Sequence, residues 1–469
     1  MGLEVVKNIL SIIEIFFIMY LIGYSTFLFI SVIVGSSVLY RQKKMDILKN
    51  KLENECYIPV SIIVPAHNEE ITVVDTVNSL LELNYKNYEI IVVDDGSVDD
   101  TSKKLIQSFD MYKVNRPINK EIKCQKEEYI YETNEKKVPI TLIRKKNGGK
   151  ADALNMGINV SQYPYFICMD ADSVLQYDSL ENITRPILEN DNIVACGGLI
   201  RISNGVEFEK CRVKKYKLPK NILACMQVLE YDRSFLASRI MLDQFNGNLI
   251  ISGAFGLFKR DIVVAVGGYD TKTVGEDMEL VIKLHMFCKL HNMKYSIVYV
   301  QDAICWSQAP SSLGDLIKQR KRWHVGLFQS MIKHRRLAYN PEYGPVSFIS
   351  YVYFFIYELL SPMIELVGIL TTILAFVFNL INVQFMLVLM GIYAVFGAVL
   401  SVTIFLARIY VQDTKLSFKD VMKILMLCLV ENAGLRQILA FARMTALIGY
   451  RKKKLQWGDI KRVKQHINS

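Results

Sequence analysis

VSIIVPAHNEE, residues 60–70, decides the fold. Val60–Val64 is a short, apolar, β-rich run closed by Pro65, and a helical pattern follows over 69–83. The same unit recurs. YEIIVVD (88–94) precedes a helical pattern at 99–109, ITLI (140–143) precedes one at 149–160, and YFICMD (165–170) is a further strand. Short apolar strands alternating with helices predict an open α/β sheet, mostly parallel, with helices on both faces. Ligands of such sheets bind beyond the carboxyl ends of the strands. Asp94–Asp95, Lys145–Lys150 and Asp170–Asp172 fall there. Residues 110–138 interrupt the alternation: they are rich in Lys and Glu, show no period, and are expected to be an exposed loop insertion.

Outward from this domain the composition changes. The chain has 469 residues, 51% of them hydrophobic, with a net charge of +10. That apolar content excludes a disordered chain and argues against an ordinary soluble enzyme. Nine cysteines without a CxxC pair exclude a disulfide scaffold and fit a reduced compartment. Residues 9–40 hold one charge, Glu14, and are too long for the core of a cleaved signal, so they predict a membrane-spanning helix. Residues 346–410 carry only Glu358, Glu365 and Arg408 and break at Asn379–Asn382, which predicts two spans, about 347–379 and 384–410. Residues 421–450 contain Lys423, Glu431, Arg436 and Arg443; a re-entrant or interfacial helical pair broken near Asn432–Gly434 is expected.

The basic residues cluster beside these stretches. Residues 41–51, 318–336 and 451–464 hold 19 Lys and Arg against two acids, +17 together, which leaves −7 for the rest of the chain. Such clusters mark the cytoplasmic side and favour anionic lipid, so no nucleic-acid partner is expected. The chain divides into an N-terminal segment (1–50), a cytoplasmic domain (56–336), membrane helices (345–450) and a basic cytoplasmic tail (451–469). The expected location is the plasma membrane, multi-pass.

Several residues carry chemistry. Asp170 and Asp172 end a strand and can meet at one hard cation, Mg²⁺ or Mn²⁺, shared with a diphosphate; strand-end aspartates also cap turns. Asp94–Asp95 can accept from a base or ribose, or cap the helix near Asp99. Asn147–Lys150 opens a helix, with a point charge for phosphate. Glu276 and Asp277 start another helix, where acids are stabilised by the dipole and could also serve as a general base. Gln319, Arg322 and Trp323 lie in a basic helix fit for a membrane surface or, through indole and guanidinium, for a sugar and a phosphate. Together, in this order across one α/β domain, they suit displacement of a nucleoside diphosphate from a sugar.

SIIVPAHNEE (61–70), VVDDGS (92–97), KNGGKADALNMGI (146–158), CMDADS (168–173), ISGAFGLFKRD (251–261), VGEDMEL (274–280) and QRKRW (319–323) resemble, in order, the motifs of membrane-bound family 2 glycosyltransferases. This group contains the cellulose, chitin, hyaluronan and poly-N-acetylglucosamine synthases. CWSQAPSSLGDLIKQRKRW (305–323) most resembles the last branch. The resemblance covers about 60–336 and implies a GT-A fold with transmembrane helices on both sides, and an inverting transfer from a UDP-sugar that forms a β linkage. It implies that Asp95, with Asp94, holds uridine; Glu69 reaches the nucleoside pocket; Lys150 approaches the donor phosphates. Asp170 and Asp172 hold metal and diphosphate; Asp277 is the base, supported by Glu276; Gln319, Arg322 and Trp323 flank the diphosphate and the acceptor.

Three activities compete: a processive synthase that exports its glycan, transfer of one sugar to a lipid-linked acceptor, and a silent nucleotide-sugar-binding scaffold. The last predicts a missing base or metal pair, yet Asp277, Asp170 and Asp172 are all present. Few spans flank the domain, which leaves room for an accessory membrane or export subunit. Glu358 and Glu365, seven apart on one helix face, either pair with Arg408, Arg436 or Arg443 or line a glycan path. His324, following Trp323, is expected at the surface or else near the diphosphate, and the cysteines are expected to be structural.

Overall fold

The computed structural model describes residues 2–49, 57–134, 137–412, 417–430, 435–450 and 467–468. The strands are β1 (Val60–Ala66), β2 (Tyr88–Asp94), β3 (Met111–Val114), β4 (Glu127–Thr133), β5 (Ile140–Lys145), β6 (Tyr165–Met169), β7 (Val174–Leu175), β8 (Ile193–Ile202), β9 (Val206–Glu209), β10 (Arg212–Tyr216), β11 (Phe255–Lys259), β12 (Ser296–Ser307) and β13 (Ile467–Asn468). Ten of them form one sheet in the order β3-β4-β5-β2-β1-β6-β11-β8-β12-β7. Its centre, β5-β2-β1-β6, is parallel, with Val60 opposite both Tyr88 and Tyr165. β11 runs antiparallel between β6 and β8, and β12 returns parallel to β8.

Helices α2 (Val73–Leu81), α3 (Thr101–Phe109), α4 (Lys150–Val160), α5 (Ser179–Glu189), α6 (Ile222–Arg233), α7 (Arg239–Asp243), α8 (Arg260–Ala265) and α9 (Glu276–Leu290) surround this sheet, and α10 (Leu313–Lys333) packs on α9. Every residue of β1, β2 and β8 is buried, as strands covered on both faces must be. α4 is buried from Ala151 to Val160, and it can be because Gly157 lets it lie on β1: a Cβ there would stand 2.3 Å from the Ile63 side chain.

The 110–138 expectation is corrected. β3 and β4 form an antiparallel hairpin that extends the sheet beyond β5. Met111 of β3 and Ile130 of β4 are buried, and Ile122 in the connection between them joins Ile130 in the cluster that also contains Ala153, Leu154 and Ile158 of α4. One buried residue per strand is too sparse a pattern to read as a strand period.

Outside the sheet, α1 (Gly2–Lys49) contains an apolar stretch, Asn8–Gln42, long enough to cross a membrane. Residues 346–377, expected as one span, form a helix pair with a break, long and apolar enough together to cross a membrane. A π-helical turn (Val346–Ser350), α11 (Tyr351–Tyr353) and a second π-helical turn (Phe354–Leu359) are followed by α12 (Ser361–Val377), bent by 47°. Pro362 stands at the start of α12, where a missing N–H costs nothing but the preceding helix must turn. α13 (Val383–Gln412) is long and apolar enough to span over Val383–Ile409. α14 (Phe418–Val430) and α15 (Leu435–Leu447) follow; the break expected near Asn432–Gly434 and most of the basic tail lie outside the described residues.

Candidate active site

The chemistry gathers where β1 and β6 end. Asp170 and Asp172 sit in the turn after β6, held by the Thr76 hydroxyl donating to the Ala171 carbonyl at 2.7 Å and by Ser173 N donating to Asp170 O at 3.1 Å. Lys150, the first residue of α4, places Nζ 2.5 Å from Asp170 Oδ1 and 3.7 Å from Glu276 Oε1, and donates to the Gly253 carbonyl at 3.3 Å. Burial alone would depress its pKa, but the Asp170 and Glu276 carboxylates outweigh it and raise it, so this is a fixed cation.

Asp277 lies in the first turn of α9. Its Oδ1 accepts from Met278 N at 2.8 Å and its Oδ2 from Gly253 N at 3.3 Å. Glu276 beside it is pushed up by burial and by Asp277, against the pull of Lys150. Behind them, Glu279 is fully buried. Burial would raise its carboxyl, but the His334 hydrogen bond, Lys283 and Lys333 hold it down to about 2. α9 is therefore pinned by a charged cluster on the side away from the cavity.

α10 supplies the opposite wall. The backbones of the two elements touch: a Cβ on Gly326 would lie 2.7 Å from Gly275 Cα. Three residues before Gly326, Trp323 is 40% exposed. Gln319, Arg322 and Trp323 all line the same cavity as Asp170, Asp172, Glu276 and Asp277, and Gln319 Oε1 is buried without a hydrogen-bond partner among the described residues. His324 is not at the surface: it is buried, and burial pushes it down to about 4, so it is neutral.

Glu69 reaches the cavity wall and accepts from the Thr72 hydroxyl at 2.8 Å. Asp94 and Asp95 do not line the cavity, and both are fully buried. Asp94 accepts from Ser97 N at 2.8 Å and from the Ser102 hydroxyl. Asp95 is bound by Lys145 Nζ, by Gly148 N at 3.0 Å and by Gly149 N at 2.7 Å. Lys145, itself fully buried, also reaches Asp152 at 2.7 Å. The two carboxylates expected to hold uridine lie behind the cavity wall. With three donors and no exposure, Asp95 shapes the Asn147–Lys150 loop, whose backbone does line the cavity together with His67 and Asn68.

Sequence reasoning missed α6 and the π-helical turn after it (Ser234–Ser238), which carry Gln227, Glu230, Tyr231 and Arg233 along the cavity. The cavity, about 1510 Å³, continues past them to Tyr24 of α1, to Tyr357, Glu358 and Glu365, and to Arg436 and Arg443 of α15. Glu365 pairs with Arg436 at 2.6 Å, whereas Arg408 pairs with Asp232 at 2.8 Å and neither membrane acid. Glu358 accepts from the Tyr353 hydroxyl at 3.0 Å.

The donor set fits a hard divalent ion. Asp170 and Asp172 offer carboxylate oxygens, and among the described residues no third His, Cys, Asp or Glu joins them. An ion held by two carboxylates and otherwise by phosphate and water is the binding mode of Mg²⁺ and its relatives in nucleotide enzymes.

Comparison with known proteins agrees with this geometry. Residues 165–407 match the model of glycosyl transferase family group 2, and residues 61–123 that of glycosyl transferase family 2. The chain is 31% identical over 327 residues to a poly-β-1,6-N-acetyl-D-glucosamine synthase of Staphylococcus aureus, covering 68% of this chain and 67% of that one. It is 31% identical to that of Staphylococcus epidermidis over 347 residues, 71% and 73% of the two chains. A mannosyltransferase from Pyrobaculum calidifontis, solved with GDP-Man and Mn²⁺, shares the fold at a TM-score of 0.51 and 17% identity, over 84% of this chain and 99% of that one. The ten-stranded α/β domain is thus a GT-A-like fold flanked by candidate membrane helices, and the chain belongs to glycosyltransferase family 2.

Proposed function

We propose that this transferase builds a β-linked polysaccharide processively at the membrane. It would draw on a UDP-sugar, for which UDP-N-acetylglucosamine is the first donor to test given its synthase relatives, and pass the product into the membrane. The observation that carries the reading is the continuity of the cavity from Asp170 and Asp277 to Glu358 and Glu365. A single transfer needs only the first half of that space. The proposed division keeps residues 56–336 cytoplasmic.

The chemistry is a single displacement. The acceptor hydroxyl attacks the anomeric carbon, Asp277 takes its proton, and the bond to the diphosphate breaks on the opposite face, inverting the centre. Met278 N and Gly253 N hold Asp277 so that its carboxylate stays within the cavity wall. Lys150 leaves Asp170 and Glu276 for the diphosphate as negative charge develops there, and Arg322 offers a second cation. Asp170 and Asp172 would hold a divalent cation, which when bound supplies charge neutralisation at the leaving diphosphate. Asp95 acts on the donor through the Gly148–Gly149 backbone. Glu69 borders the nucleoside end, and Gln319 and Trp323 border the acceptor.

The test is purified protein in lipid nanodiscs with a panel of UDP-sugars and Mg²⁺ or Mn²⁺, reading UDP release and product length. One donor giving long, β-linked product supports the reading. Release of UDP with only a singly extended lipid acceptor refutes it.

A further inference from the structure

We propose that Glu230 and Arg320 are positioning residues for Trp323, clamping its indole so that a guanidinium closes one face and the other is left for a sugar ring of the acceptor. This rests on the reading of Trp323 as the acceptor platform. Arg320 lies three residues before Trp323 on α10, so the two share a helix face. Its guanidinium carbon stands 4.4 Å from the centroid of the indole. Arg320 Nη2 donates to Glu230 Oε2 at 2.7 Å, across from α10 to α6. Arg320 is 7% exposed while Trp323 is 40% exposed, and all three side chains border the cavity.

A half-exposed tryptophan on a helix can occupy several rotamers, and a sugar that stacks on it must wait for one of them. A planar cation laid on one face selects a single rotamer in advance. Arginine suits this and lysine does not, because the guanidinium is flat, always charged and weakly hydrated. Glu230 compensates the charge and fixes the plane of the guanidinium through a charge-assisted hydrogen bond. Nothing in the clamp touches Lys150, Asp170 or Asp277 at ion-pair distance, so its effect falls on the acceptor side.

The experiment measures KM for a β-1,6-linked N-acetylglucosamine tetramer, KM for UDP-N-acetylglucosamine, and kcat, in Glu230→Ala, Arg320→Lys, Trp323→Ala and the swapped pair Glu230→Arg with Arg320→Glu. The expected result is a rise in tetramer KM of about three- to tenfold in Glu230→Ala and Arg320→Lys, the size of an indole–cation contact. Donor KM moves much less, and the swap leaves the loss in place, because it restores the ion pair but lays a carboxylate rather than a guanidinium from position 320 against the indole; recovery in the swap overturns the clamp. Glu230 is 42% exposed at its side chain, so its variant reports even where an Arg320 variant fails to fold. An unchanged tetramer KM in Glu230→Ala while Trp323→Ala raises it overturns the clamp and spares the platform. An unchanged KM in Trp323→Ala overturns both. A uniform loss in kcat and both KM values assigns the pair to holding α6 on α10 and also overturns the proposal.

Discussion

Gly326→Ala is the sharpest probe of how α10 meets α9. The added Cβ would stand 2.7 Å from Gly275 Cα, 2.8 Å from Gly275 N and 3.2 Å from the Val274 carbonyl carbon, where ordinary contact begins at 3.4 Å. All three are backbone atoms, so no rotamer change relieves the clash, and the elements must part by about 0.7 Å. In an isolated helix the substitution would stabilise by about 1 kcal/mol. Overpacking costs about 1–3 kcal/mol, so the net change in stability is between about 0 and 2 kcal/mol destabilising. The catalytic consequence is larger. Gly275 precedes Glu276–Asp277 directly and Gly326 follows Trp323 by three residues, so the separation opens between the proposed base and the proposed acceptor platform. A displacement approaching 1 Å costs about 100-fold in kcat. Gly314→Ala on the same helix is the control, because nothing lies within 4 Å of its Cβ. The assay is UDP release per enzyme with the thermal midpoint in detergent. A Gly326→Ala protein with a kcat near that of Gly314→Ala refutes the claim that this contact sets the site.

Asp277→Asn keeps the shape and removes the base; kcat for UDP release with acceptor should fall about 10²–10⁴-fold while the thermal midpoint holds. Lys150→Met should raise donor KM and lower kcat together, since the cation now neutralises Asp170 and Glu276 at rest; an unchanged donor KM speaks against its phosphate role. His285 is buried, with Nε2 2.9 Å from the Asn248 carbonyl and Nδ1 2.9 Å from the Tyr295 hydroxyl, and burial pushes it down to about 4. The unfolded chain takes that proton near pH 6.5, so the stability carried by the neutral ring is present above this pH. It is lost at about 1.4 kcal/mol per unit as pH falls toward 4, a slope that unfolding titrations should find flattened in His285→Asn. Arg436→Gln strands the part-buried Glu365 and should cost about 1–3 kcal/mol, most of it recovered in Arg436→Gln with Glu365→Gln, read as thermal midpoints.

The parallel centre of the sheet was legible because β1, β2, β5 and β6 are buried on both faces and so read as plain apolar runs. The β3–β4 hairpin was not, because an edge hairpin with one inward anchor in each part leaves Lys, Glu and Tyr exposed and mimics a loop. Asp170–Asp172 and Glu276–Asp277 stand in the cavity wall where their strand and helix ends pointed them. Asp94–Asp95 follows a strand in the same manner yet turns inward, because Lys145 is the last residue of the neighbouring strand and draws Asp95 to itself. That choice depends on which strands pair, and residue type at one strand end does not contain it. α6 was missed for a related reason. Its run NILACMQVLEYDRSFLASRIMLD (221–243) is capped by the Asn221 side chain accepting from Ala224 N at 3.1 Å, a readable start. Its buried residues lie all round the helix, so no apolar stripe marks it.

That lack of a stripe has a structural cause. α6, the π-helical turn and α7 are wedged between the membrane helices and the sheet. Gly35 of α1 lies so near the π-helical turn that a Cβ would stand 2.2 Å from the Leu236 carbonyl oxygen. Arg408 of α13 pairs with Asp232 in a buried contact, and Arg233 donates to Ser401 at 2.7 Å. The same short segment offers Glu230, Tyr231 and Arg239 to the cavity. Breaking a buried ion pair costs about 3–5 kcal/mol, several times a surface one. The wall beside Trp323 is therefore fixed to α1 and α13 more firmly than surface contacts would fix it. A shift of either helix moves Glu230 relative to Arg320, and with it the indole face proposed to hold the acceptor. The apolar spans and the carboxylate-lined cleft, separate in sequence, share this wall as one packed unit.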